Sequence, residues 1–198
     1  SAAATWYLLP ERLYYPGVMG AAFLGLGLGL VNAFKRVVSP ALVLAYSVVE
    51  GVFIGGMSKV FETRFDGVVT GAVLGTVAAF AGTLAAYKYF NIKVTERFRR
   101  YVVAAMFGFV AVSLLDFGLH FFGASFGFNG LGTVGLIASV VGLGIGVLML
   151  ILDFDYVEQG VAAGAPESES WRAAFGLTVT IVWIYIELLR ILAIFRGE

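Results

Sequence analysis

The chain has 198 residues, 60% of them hydrophobic and 13% charged, with no cysteine and a formal net charge of zero. A water-soluble domain carries about a quarter charged residues, so this composition excludes one and places the chain in a membrane. Neutrality gives a nucleic-acid partner no electrostatic footing, and the lack of cysteine excludes disulfide frameworks and thiolate metal sites.

A spanning helix needs about 20 mostly apolar residues. The first residues, "SAAATWYLLPER", lack the charged start of a signal peptide. They read as the tail of an apolar helix over residues 1–9. No initiator Met is present, so the expectation is a chain that begins partway into a longer protein, with most of a first helix outside it. Six full apolar stretches follow, at 15–34, 40–60, 67–87, 101–121, 131–152 and 171–195. The fifth of these continues as helix to residue 155. The expected fold is all-α: one polytopic transmembrane domain over 1–198, with seven helices counting the first fragment. Strand alternation is absent, which argues against a β-barrel. The connections are short except "DFDYVEQGVAAGAPESES" (153–170), whose Gly, Ala, Pro, Ser and Glu read as a linker.

Lys and Arg in the loops set the orientation. One face holds Lys35, Arg36, Lys88, Lys93, Arg97, Arg99, Arg100 and Arg172. The other holds Arg12, Lys59, Arg64 and Arg196, with Arg190 near it. The richer face is expected to be cytoplasmic, which puts the N-terminus inside and the C-terminus outside.

Along the chain, "GLGLGL" superficially suggests a nucleotide loop, but it follows no strand and precedes no Lys-Ser/Thr. Gly25 and Gly29, like Gly142 and Gly146, are small-xxx-small pairs for close helix packing. No cofactor is expected. Glu50 sits about ten residues into its span, where a carboxylate costs roughly 2.5–3.5 kcal/mol on insertion scales. It must be protonated, paired with another helix, or facing a polar cavity. His120, the sole histidine, follows Asp116 at i,i+4, a spacing that suits a local hydrogen bond and is too sparse for a metal site. There is no nucleophile–base pair and no H-E-x-x-H, so an enzyme lacks its parts.

The acids gather near the end of the chain, in "LMLILDFDYVEQG" and in "TIVWIYIELLRILAIF". At about 100° per residue, Asp153 and Asp155 point about 160° apart. Asp155 shares a face with Glu158 and Gln159. Glu187 follows fourteen uncharged residues and has Arg190 at i+3, so a local ion pair is one expectation. The other is a meeting with Asp155. Two carboxylates at one site share a proton and titrate as a coupled pair. Such a pair latches two helices when protonated, and repels or binds a cation when not. Ca²⁺ prefers oxygen ligands of this kind.

"SPALVLAYSVVEGVFIGGMSKVFE", "LDFDYVEQG" and "AAFGLTVTIVWIYIELLRIL" resemble the Bax inhibitor (transmembrane Bax inhibitor motif) family, in its bacterial YccA-like branch and an actinobacterial version. The likeness runs from about residue 30 to 195. It implies six helices around a central seventh, and a pH-sensitive Ca²⁺ leak of the plasma membrane gated by acids on the sixth and seventh helices. The seventh-helix acid maps to Glu187, where the family more often has Asp. The sixth-helix acid maps to Asp155, with Asp153 as its competitor. Arg190 and Glu158 are possible partners of the gate, and Glu50 a candidate for the ion path. Glu187 lies deep in its helix while Asp155 lies at an end. They meet only if the sixth helix is buried further along, or if the seventh begins above the membrane. The expected partners are the lipid bilayer, Ca²⁺ or protons, and possible docking to another membrane protein complex. The alternative function is a non-conducting modulator or accessory subunit of a protease or larger membrane complex.

Overall fold

The computed structural model describes Ala2 and residues 14–197. The expected helix over 1–9 lies outside the described residues, apart from Ala2. Six helices follow: α1 (Tyr14–Phe34), α2 (Pro40–Glu62), α3 (Val68–Tyr89), α4 (Glu96–His120), α5 (Thr133–Ala162) and α6 (Glu167–Gly197). All six are long and apolar enough to cross a membrane. Among the described residues there is no strand.

Helix ends follow local chemistry. Ser39 precedes α2 in extended conformation, with Pro40 opening the helix, where its missing N–H costs nothing. The Glu62 carboxylate accepts the amides of Gly67 and Val69 at 2.8 and 3.0 Å and so satisfies orphan donors at the start of α3. The Thr95 hydroxyl caps α4 by accepting from the Phe98 amide at 3.2 Å. The linker read over 153–170 is corrected. Helix α5 continues through its acids to Ala162, and α6 begins at Glu167. Gly164 makes the turn with φ +62, and the Ala165 amide bonds back to the Gly160 carbonyl at 2.9 Å. Helix α5 has 30 residues and α6 has 31. At 1.5 Å per residue each is about 45 Å long, well beyond a hydrocarbon core of about 30 Å.

The chain divides into two compact units. The first combines Ser1–Val69 with Val157–Val179. In it, Gly25 and Gly29 let α1 lie against α2: a Cβ at Gly29 would stand 3.6 Å from the Tyr46 ring, and one at Gly25 only 2.9 Å from Glu50 Oε2. Asn32 Nδ2 donates to the Leu28 and Leu42 carbonyls, and Tyr46 meets Phe175 edge-on at 5.0 Å. Arg172 donates to the Arg36 carbonyl at 2.6 Å.

The second unit combines Thr70–Tyr156 with Thr180–Glu198. Its core centres on Leu150, Ile184, Leu189 and Ala193, all fully buried. Glycines admit large neighbours here. Cβ atoms built at Gly71 and Gly75 would stand 3.0 and 3.1 Å from Leu192 and Leu188, and one at Gly146 would stand 2.8 Å from Ile184. Phe154 packs edge-on against Phe80, with ring centroids 5.4 Å apart.

Candidate functional site

The second unit holds three carboxylates on α5 and α6, each with a defined partner. Asp153 Oδ2 accepts from the Thr180 hydroxyl at 2.6 Å. Asp155, buried, accepts from Arg99 Nη2 at 2.9 Å. Glu187, also buried, accepts from Arg190 Nη1 at 3.2 Å. The angular separation of Asp153 and Asp155 has a direct outcome: one addresses α6 and the other α4. The acid expected to face the last helix was Asp155. The one that does so is its competitor, Asp153.

Glu187 occupies a tight setting. A Cβ at Gly142 would stand 2.8 Å from Glu187 Oε1 and 2.8 Å from Phe109 Cζ, so the glycine makes room for the carboxylate. Trp183 Nε1 donates to the Gly142 carbonyl at 2.9 Å and fixes the register of the two helices there. The fully buried Ser139 hydroxyl lies toward the same carboxylate but completes no hydrogen bond. A cavity of about 180 Å³ opens beside Glu187, lined by Phe109, Val110, Ser113, Leu114, Trp183 and Ile186.

Asp155 and Glu187 are not brought together. Glu187 is level with Gly142, and Asp155 follows thirteen residues later on α5. At 1.5 Å per residue the separation along the helix is about 20 Å. A proton shared between these two carboxylates is therefore not the arrangement found, and each acid holds an arginine instead. The i,i+3 pairing with Arg190 was legible in the sequence. Arg99 was missed, because it lies 56 positions from Asp155 and no local spacing announces such a pair. Arg190 also donates to the Phe128 carbonyl at 2.7 Å.

The remaining candidates lie elsewhere. Glu50, in the first unit, is half-buried beside the Tyr46 side chain one turn earlier on its own helix. Glu158 is exposed on α5. Asp116 does not pair with His120. Its carboxylate gathers the loop after α4, accepting from Ser125 Oγ at 3.2 Å, the Phe126 amide at 3.0 Å and the Asn129 amide at 2.9 Å. Backbone amides of a folded-back loop outbid a side chain on the same helix. Among the described residues no group of three or more His, Cys, Asp or Glu gathers to hold a metal ion.

Membrane-length helices that carry buried, arginine-held carboxylates define a polytopic α-helical membrane protein, in contact with the lipid bilayer. The family model described as "Bax inhibitor 1 like" matches residues 1–197. The chain belongs to that family, which is not a family of enzymes. It is also similar to an "Uncharacterized protein" of Chlamydia muridarum (strain MoPn / Nigg), 33% identical over 96 residues. That match covers 47% of this chain and 40% of the relative, so the chain matches about two fifths of the relative's length.

Proposed function

We propose that this protein is a pH-sensitive cation leak of a bacterial plasma membrane, conducting Ca²⁺ or protons, in the YccA-like branch of its family. The observation that carries the reading is the pair of buried carboxylates, Asp155 on α5 and Glu187 on α6, each closed by an arginine. Ionisable groups within membrane helices mark ion paths. An arginine beside a path repels cations, and the carboxylate that holds it in place also neutralises it. Loss of the carboxylate charge leaves that of the arginine less compensated. The two latches act in series, about 20 Å apart along α5, with Asp153 and its Thr180 bond next to the first. Glu50, an acid within a membrane-length helix, is a further candidate for the ion path, and Glu158 a candidate gate partner on α5. In this reading α6 is the central one of seven helices in a single transmembrane domain over 1–198. The N-terminus is cytoplasmic and the C-terminus outside, as the loop cations favour.

The test is Ca²⁺ flux into proteoliposomes on the acidic and alkaline sides of neutrality, for the parent protein and for Asp155→Asn and Glu187→Gln. The expected outcome is a pH-dependent flux whose dependence weakens in both variants. Identical flux and pH response in all three proteins would sink the gating claim. Folded protein that carries no ion under any condition, and that co-purifies with a stoichiometric membrane partner, would leave the modulator or accessory-subunit reading standing.

A further inference from the structure

The segment that joins α3 to α4 is rich in cations, and the structure divides them into two kinds. Arg99 is held by Asp155 at 2.9 Å and by Glu96 at 3.6 Å. Lys88, Lys93, Arg97 and Arg100 are exposed, and among the described residues no acid lies within 4.0 Å of any of them. Helix geometry makes the division. Arg97, Arg100 and Tyr101 share one face of α4 at i, i+3 and i+4, while Arg99 points about 160° from Arg97. Three aromatic rings fall in the same stretch of chain as these four cations, at Tyr89, Phe90 and Tyr101, exposed by 82%, 70% and 74%.

Elsewhere the cations of the second unit are used differently. Arg190 is closed on Glu187, and Arg196 has an interaction of its own. The unpaired charge of this unit therefore collects at the junction of α3 and α4, where two apolar helices leave the hydrocarbon. Aromatic rings favour that depth, at the level of the lipid headgroups. Lysine and arginine stems lie along apolar surface with their charges in the headgroup layer.

We propose that this junction is a docking surface for anionic phospholipid headgroups, made by Lys88, Lys93, Arg97 and Arg100 between the rings of Tyr89, Phe90 and Tyr101. Basic clusters at the membrane end of a helix attract anionic lipid, each cation adding to the affinity. Arg99 contributes nothing while Asp155 holds it. This separates the proposal from simple charge counting, which weights all five cations alike.

The experiment uses the full chain in phosphatidylcholine vesicles containing a minor fraction of phosphatidylglycerol. Spin-labelled phosphatidylglycerol and phosphatidylcholine report which lipid the protein immobilises. The parent protein is expected to select phosphatidylglycerol, and the preference should fall when the ionic strength is raised to about 1 M, where charges are screened beyond about 3 Å. The triple variant Lys93→Gln/Arg97→Gln/Arg100→Gln alters only exposed side chains, and is expected to lose at least about tenfold in that selectivity. Asp155→Asn combined with Glu96→Gln leaves Arg99 without a carboxylate partner and is expected to raise the selectivity above that of the parent. A triple variant that selects phosphatidylglycerol as well as the parent does overturns the proposal. So does an Asp155→Asn/Glu96→Gln protein with unaltered selectivity, because then Arg99 was never set apart. If inorganic phosphate in the buffer abolishes the preference at matched ionic strength, the surface takes free phosphate and the assignment to lipid falls.

Discussion

The two arginine–carboxylate pairs of the second unit have the same chemistry and opposite settings. Arg190 and Glu187 lie one turn apart on one helix, with side chains 11% and 7% exposed. Arg99 and Asp155 come from different helices, and the arginine is 37% exposed. The first pair has been taken out of water on both sides, so removing one partner strands the other charge in a medium that cannot solvate it. The second keeps one partner in water, which screens the attraction and accepts the arginine when it lets go. The two latches therefore differ in cost: the Glu187–Arg190 pair is expensive to open and the Asp155–Arg99 pair opens at small cost.

The difference can be broken first at Arg190. Arg190→Ala strands Glu187 and also removes the donor to the Phe128 carbonyl. The expected loss is about 3–5 kcal/mol, read as a lowered unfolding midpoint in detergent. Replacing both partners, as Glu187→Met with Arg190→Met, should restore much of that loss, because a well-packed apolar pair has no charge to desolvate. Gly142→Ala tests the space rather than the charge. The new methyl would press on Glu187 Oε1 and Phe109, at a cost of about 1–3 kcal/mol, and should move the Trp183 fluorescence because its donor bond ends on Gly142. Thr180→Val deprives Asp153 of its hydroxyl donor, with an expected cost of about 1.5–3 kcal/mol for a bond to a charged group. Asp155→Asn should be mildest, under about 1 kcal/mol, since an exposed partner gives a weak pair. The effect should shrink further at high salt. An Asp155→Asn protein as unstable as Arg190→Ala would erase the contrast between the two pairs.

Much of the fold was legible because hydropathy reports it directly. Six apolar runs gave six helices, since a backbone in lipid must satisfy its own hydrogen bonds. Hydropathy also marked where apolar character stops, at Leu152, and there it misled. The α5 backbone stays helical through Asp153, Asp155 and Glu158 to Ala162, because polar residues do not end a helix; a glycine with positive φ does. The acids themselves were legible as costly groups in an apolar chain. Their partners were legible only when local. Arg190 stands at helical spacing from Glu187, whereas Arg99 finds Asp155 through packing between helices. Asp116 shows the converse failure. Its spacing to His120 was correct for a bond, and the loop at 125–129 took the carboxylate instead.

The bond from Arg190 to the Phe128 carbonyl reaches beyond the helix. A main-chain oxygen does not titrate, and no side-chain substitution removes it, so the guanidinium keeps this tether whatever the state of Glu187. The tether ends in the stretch between α4 and α5, which is also pinned by Asp116 through Asn129. Arg190 thus joins a buried acid to the loop between α4 and α5. That segment is largely exposed, and Arg190 is one of its anchors: a protease directed at residues 123–130 is expected to cut Arg190→Ala faster than the parent.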